Sequence, residues 1–304
     1  MLRPALLVIM MLLFAGAPLL AADTPLLKWP DLVARPRPVA DATLGYGADP
    51  YQKVGVWVPA GTGPFPVVLM VHGGCWQTKI ADRTLMDWAA ADLRAAGYAV
   101  WNIDYRGVDR AGGGYPGTFA DAAAAADLMR REAGRFHLDT RRVVAIGHSA
   151  GGHLALWLAA RPRLPRSSPL RSRRPLKIAH VISLGGLPDL ERTAATPENG
   201  CGSEVVAKLI GTDGGHARRD PYADTSIPRL LPLHVPQDLV NGREDKIIPY
   251  VFATDYTALA QAAGDRATLH TVPRTGHVEL VAPGSAAWDE AKRLVRAAFE
   301  QTPN

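Results

Sequence analysis

The chain has 304 residues, 34 Lys and Arg, 29 Asp and Glu, a formal net charge of +5 and a pI near 9.3. Hydrophobic residues make up 47% of it, which excludes a disordered chain, and two cysteines exclude a disulfide scaffold or a cysteine-rich zinc site. The basic balance is local. Seven cations and no acid lie between Arg161 and Lys177, and without these seven and Arg3 the chain has 26 basic against 29 acidic residues. A nucleic-acid partner is therefore not expected, and contact with an anionic membrane surface only through the Arg161–Lys177 loop.

The first elements are an address and a lead-in. Residues 1–22 carry Arg3, an apolar run from Ala5 to Leu20, and Ala21-Ala22. This is the layout of a secretory signal peptide, so a periplasmic or secreted protein is expected, with an uncleaved membrane anchor as the alternative. The remaining residues, 23–304, are expected to form one domain. In an oxidising compartment Cys75 and Cys201 would be free to pair. Residues 23–50 are Pro-rich and weakly patterned, and read as a lead-in strand and coil.

Val54, Val56 and Val58 alternate, which predicts an antiparallel strand. Val67 to Val71 is a continuous apolar run of the kind buried parallel strands show. A helix is predicted from Asp82 to Ala96 and a strand from Tyr98 to Ile103. The next helix runs to Arg131, with Thr118 and Asp121 spaced as an N-capping pair. Gly112-Gly113-Gly114 lacks the Lys-Ser/Thr ending of a phosphate loop and reads as a flexible loop bordering the site. Val143 to Ile146 is a strand and Ala150 to Ala160 a helix. Four prolines keep the basic tract from being a helix and make it a solvated loop. Strands follow at Ile178–Leu184, Asp238–Val240 and Thr268–Val272, and helices at Tyr250–Ala263 and Ala286–Phe299.

Alternating strands and helices predict an α/β fold, a mostly parallel central sheet with helices on both faces. Gly186 to Pro236 breaks the rhythm and reads as a lid-like insertion over the sheet's edge.

The chemistry starts at Gly147-His148-Ser149-Ala150-Gly151. A G-x-S-x-G pentapeptide between a strand and a helix lifts the serine on a strained turn, at a helix N-terminus that favours negative charge. A serine hydroxyl needs a base, and this arrangement places an acid and then a histidine after later strands. Asp245 follows Val240-Asn241-Gly242, with Glu244 as its rival. His277 follows the last strand. Val71-His72-Gly73-Gly74 leaves the first buried strand with two glycines, so the amides of Gly74, Cys75 and Ala150 are the candidate oxyanion donors, and Gly73 the substitute. His72 is expected to orient that loop, His148 and His153 to pack behind the nucleophile. His270 reads as packing or surface, and His137, His180, His216 and His234 as structural or solvated.

At these residues the chain resembles the α/β-hydrolase superfamily over nearly its whole mature length. His72-Gly73-Gly74 with Trp76, Asp104-Tyr105-Arg106 and the extended Gly147-His148-Ser149-Ala150-Gly151-Gly152-His153 look like the esterase, kynurenine-formamidase-like and prolyl-oligopeptidase-like branch. Cys75 stands where hormone-sensitive-lipase-like esterases carry a third glycine. The resemblance implies hydrolysis through an acyl-enzyme without metal or cofactor. Ser149, Asp245 and His277 are then the nucleophile, acid and base of a carboxylesterase. Amide hydrolysis, arylformamidase-like or by a small peptidase, is the nearest alternative. A catalytically silent binding module is the alternative from another class.

Overall fold

The computed structural model describes residues 25–196, 199–214 and 218–301. The expected signal peptide and His216 lie outside them. Among the described residues, no helix is long and apolar enough to cross a membrane.

Eight strands form one sheet: β1 (Ala42–Gly45), β2 (Lys53–Trp57), β3 (Phe65–Val71), β4 (Ala99–Ile103), β5 (Leu138–His148), β6 (His180–Leu184), β7 (Gln237–Gly242) and β8 (Ala267–Val272). Their order is β1-β2-β4-β3-β5-β6-β7-β8. β1 and β2 pair antiparallel, and every pairing from β4 to β8 is parallel.

The continuous apolar runs follow from burial on both faces. Val67, Leu69 and Val71 of β3, with Val143 and Ala145 of β5, pack with α3 (Gly117–Glu132), α4 (Ala150–Ala160) and α7 (Val251–Ala262). The alternate residues Val68, Met70, Val144 and Ile146 pack with α2 (Asp87–Ala95) and α8 (Ala286–Glu300). A period of two therefore feeds two cores, and neither face needs polar residues.

Several expectations change. The lead-in contains a short helix, α1 (Trp29–Val33), as well as β1. Pro30 suits its first turn, where an N–H has no intrahelical partner. The helix expected from Asp82 begins as a 3-10 turn, Arg83–Met86, before α2. Thr118 and Asp121 do not cap α3. Thr118 Oγ1 donates to the Arg106 carbonyl, and Asp121 accepts from the Arg106 guanidinium and amide. Tertiary partners on Arg106, its guanidinium for Asp121 and its carbonyl for Thr118, outcompete the local capping role.

The segment between β6 and β7 does not cross the sheet's edge, because both strands are interior. It carries α5 (Leu190–Ala195) and α6 (Ser203–Ile210) and packs on α4. There His153 Nε2 and Trp157 Nε1 bond the carbonyls of Thr225 and Asp224. The basic tract is a loop, yet it is not wholly solvated. Leu164, Leu170 and Leu176 are buried, and so is Arg161, which pairs with Asp127 at 2.7 Å. The remaining six cations are exposed. Gly114 packs on the Lys208 carbonyl of α6, so the glycine run lies outside the lining of the cavity beside Ser149.

Candidate active site

Four loops converge at the carboxyl ends of the parallel strands. Ser149 follows β5 directly and starts α4, with φ 56° and ψ −122°. That conformation is strained for any L-residue, and packing over-determines it. A Cβ on Gly147 would lie 2.0 Å from the Gly151 carbonyl oxygen, and one on Gly151 would lie 2.2 Å from that of Val71. The Ser149 amide donates to Leu184 of β6 at 2.8 Å. The side chain sits at the wall of a cavity of about 330 Å³.

Asp245 comes off β7. Its Oδ1 accepts from the amides of Ile247 and Ile248, both at 2.9 Å, and its Oδ2 meets His277 Nδ1 at 2.7 Å. Both side chains are buried, and His277 lines the same cavity as Ser149. Among the described contacts no hydrogen bond joins Ser149 Oγ to His277. Catalytic hydrogen bonds of this kind commonly tighten only around substrate. Glu244, the rival acid, instead accepts from the Thr275 amide at 3.0 Å and so braces the histidine loop.

The loop after β3 reaches over Ser149. Gly74, Cys75 and Trp76 all have positive φ, of 101°, 51° and 52°. Gly74 and Cys75 line the cavity, and among the described hydrogen bonds their amides donate to no protein acceptor. Gly73 is pressed against the serine turn, where a Cβ would lie 3.0 Å from Ser149 Cβ. Ala150 is the first residue of α4, so its amide precedes the helical hydrogen-bond ladder.

His72 does orient this loop. Its Nδ1 faces the Gly73 carbonyl at 2.7 Å, its Nε2 faces Asp104 at 3.0 Å, and its ring stacks on Tyr105 at 4.3 Å. A disulfide joins Cys75 to Cys201, with Cα atoms 5.2 Å apart. It brings Gly200 into the cavity wall.

His148 is buried and its Nε2–H donates to the His277 carbonyl at 3.2 Å. Burial, and then the neighbouring His277, hold its pKa well below the usual imidazole range. It therefore stays neutral while holding the backbone of His277. Burial likewise takes His153 down to about 4. His180 and His270 both bond Asp238, at 2.6 and 2.8 Å, with His180 and Asp238 at the amino ends of β6 and β7. Among the described residues no group of three or more His, Cys, Asp or Glu is placed to hold a metal ion.

Three contributors have no signal in the sequence. Trp29 of α1 lines the cavity and stands edge-on to His148 and His277, at 5.9 and 6.4 Å. Glu279 accepts from the amides of Gly276 and Leu27, tying the histidine loop to the N-terminal segment. Gly185, with φ 55°, leaves room for the His277 ring, which a Cβ would approach to 3.3 Å.

Known proteins share this architecture. The structure is similar to a truncated carbohydrate esterase from gut microbiota, with a TM-score of 0.72 and 18% identity, over 86% of this chain and 98% of that one. It is similar to Esterase B from Lactobacillus rhamnosis, with a TM-score of 0.71 and 21% identity, over 90% and 93%. A bacterial heroin esterase matches with a TM-score of 0.64 and 23% identity, over 83% and 80%. These likenesses establish the α/β-hydrolase fold. In sequence, the non-reducing polyketide synthase stbA of Stachybotrys bisbyi is 24% identical over 77% of this chain. The chain spans 13% of that protein's length. The BD-FAE family model matches residues 55–258, more than half of the chain, and with the hydrolase fold around Ser149 this makes the protein a member of the BD-FAE family.

Proposed function

We propose that the protein is a carboxylic-ester hydrolase. Ser149 Oγ attacks the ester carbonyl carbon and its proton passes to His277 Nε2. The amides of Gly74, Cys75 and Ala150 donate to the oxyanion of the tetrahedral intermediate. His277 returns the proton to the leaving alcohol, giving an acyl-enzyme. It then takes a proton from the water that attacks the acyl group and gives it to Ser149 Oγ as the acyl–oxygen bond breaks, releasing the acid and restoring the free serine. Asp245 holds the imidazole in the required tautomer and stabilises its cation.

The observation that carries this reading is the 2.7 Å hydrogen bond from His277 Nδ1 to buried Asp245, beside a cavity shared with strained Ser149. The esterase names of the structural neighbours support it. So does a neighbour described as inhibited by a tributyrin phosphonate, since such reagents phosphonylate activated serines. The Cys75–Cys201 disulfide supports a periplasmic or secreted location.

Labelling with a fluorophosphonate probe tests the nucleophile. Wild type should form an adduct on Ser149 and turn over p-nitrophenyl acetate. Ser149→Ala should lose the adduct and roughly 10⁶ in kcat. Folded wild type without an adduct would favour the silent module. Turnover of N-formyl anilides in preference to esters would move the assignment to amide chemistry.

A further inference from the structure

The catalytic cavity does not end at Ser149's apolar neighbours. A second cavity of about 650 Å³ adjoins it. The two share a wall made of Val33, Ile80, Ala81 and Leu85. The catalytic end is lined by apolar groups, and Val33 and Ile80 on the shared wall are 55% and 56% exposed. The far end is polar, with Arg35, Arg37, Thr78, Asp82 and Thr84 in its lining.

One segment builds much of this cleft, and it lies ahead of the region matched to the family. Trp29 and Val33 reach the catalytic end, and Val33, Arg35 and Arg37 reach the far end. The segment is held in place. Leu27 donates to Glu279, and Arg35 Nη1 donates to the Pro283 carbonyl at 3.0 Å. The remaining guanidinium donors of Arg35 have no protein partner among the described contacts.

The charges at the far end do not cancel. Asp82 is the carboxylate of the lining, and its Oδ1 is already engaged by the Thr84 amide and hydroxyl. Arg37 has Asp87 as its nearest counter-charge, at 3.9 Å, beyond hydrogen-bonding distance. Burial pushes the Asp87 carboxyl up to about 7, which weakens it further as a counter-ion near neutrality. Within the lining itself two guanidiniums face one carboxylate, so the lining is net positive. That suits a singly charged planar anion, which a guanidinium fork matches with paired hydrogen bonds.

We infer that residues 27–37 form one wall of an extended substrate cleft, and that Arg35 and Arg37 hold a carboxylate carried by the ester at its end remote from the scissile bond. This rests on the ester-hydrolase reading. The apolar wall shared by the two cavities accommodates the hydrocarbon between ester and carboxylate.

Matched ester pairs test it. On the acyl side, 4-nitrophenyl hexanoate is compared with the 4-nitrophenyl half-ester of adipic acid. On the alcohol side, phenyl acetate is compared with 4-acetoxybenzoate. The readout is the ratio of kcat/KM, anionic to neutral, corrected for the hydroxide rates. Wild type should prefer the anion in one arm, and 0.5 M salt should erode the preference. Arg35→Gln with Arg37→Gln should cut the ratio about fivefold, as expected for partly exposed ion pairs. Arg37→Glu, which keeps the anchor at Pro283, should reverse the preference. Thermal unfolding of each variant reports its folding. A ratio insensitive to charge, salt and substitution in both arms overturns the proposal while leaving the esterase reading intact. Failure to turn over any of the four esters counts against the esterase reading instead. The proposal is then read from calorimetry of Ser149→Ala with the same pairs, where equal Kd values for anionic and neutral partners overturn it.

Discussion

Removing the Cys75–Cys201 disulfide tests the coupling between the β6–β7 connection and the oxyanion loop. The bridge spans 126 residues of sequence. Loop-closure entropy for that length is worth about 5 kcal/mol at 25 °C, as an upper bound set by any structure left in the unfolded chain. With an unfolding entropy typical of a chain this long, the loss corresponds to a fall of about 8 °C in Tm. Catalysis should also suffer. Cys75 supplies one proposed oxyanion donor, and Gly200, next to Cys201, forms part of the cavity wall. Gly200 is wedged tightly, since a Cβ there would lie 2.3 Å from the Ile247 carbonyl oxygen. Release of this contact displaces the donor amide, and a displacement of about 1 Å costs up to 10² in rate. The assay is thermal unfolding and p-nitrophenyl acetate kinetics for wild type and for Cys75→Ala with Cys201→Ala, each with and without dithiothreitol. Reduction should lower Tm and kcat in wild type and leave the variant unaffected. A Tm shift below about 2 °C with unchanged kinetics would refute the reasoning.

The two neighbouring acids should separate cleanly. Asp245→Asn should lower kcat by about 10⁴, because the amide presents the wrong partner to His277 Nδ1–H. Glu244→Gln should cost less than about tenfold, since among the described contacts its carboxylate bonds the Thr275 amide and not His277; steady-state kinetics of both variants decide it. Asp87 gives stability a pH dependence. Burial outweighs Arg83 and Arg37 and raises its carboxyl from 3.8 to about 7 in the folded state. Between those values the folded state binds the extra proton. The contribution is therefore fully present below about pH 4 and is lost as pH rises through about 7. Asp87→Asn should remove about 2 kcal/mol of this dependence after allowance for solvent screening, measured by urea unfolding at pH 5 and pH 8.

Much of the site was legible because its residues are constrained locally. Ser149 needs a glycine on either side at fixed spacing, since the turn leaves no room for a Cβ at Gly147 or Gly151. Asp245 and His277 each lie in the loop just after a strand, so the strands betray them. Other parts were not legible. Trp29 sits in a Pro-rich stretch without periodicity, and only folding sets it edge-on to His148 and His277. Thr118 and Asp121 carry the local spacing of a cap, yet Arg106 takes both. Arg161 lies in a tract that reads as solvated, and Asp127 of α3 draws it into the interior.

The sequence by itself determined the order of strands and helices, the strained serine turn, and the confinement of excess positive charge to one loop. These depend on residues close together in the chain, where backbone sterics and periodicity act. The tertiary structure alone decided which acid meets His277, that Cys75 and Cys201 come within bonding reach, and which arginines line the cavity beside Ser149's own. Glu244 and Asp245 are adjacent in sequence, and their carboxylates end at different partners, one at the Thr275 amide and one at His277 Nδ1. Arg35 and Arg37 come beside the site because Glu279 and Pro283, some 250 residues away, anchor their segment there. Such choices are made by long-range packing, which no local pattern records.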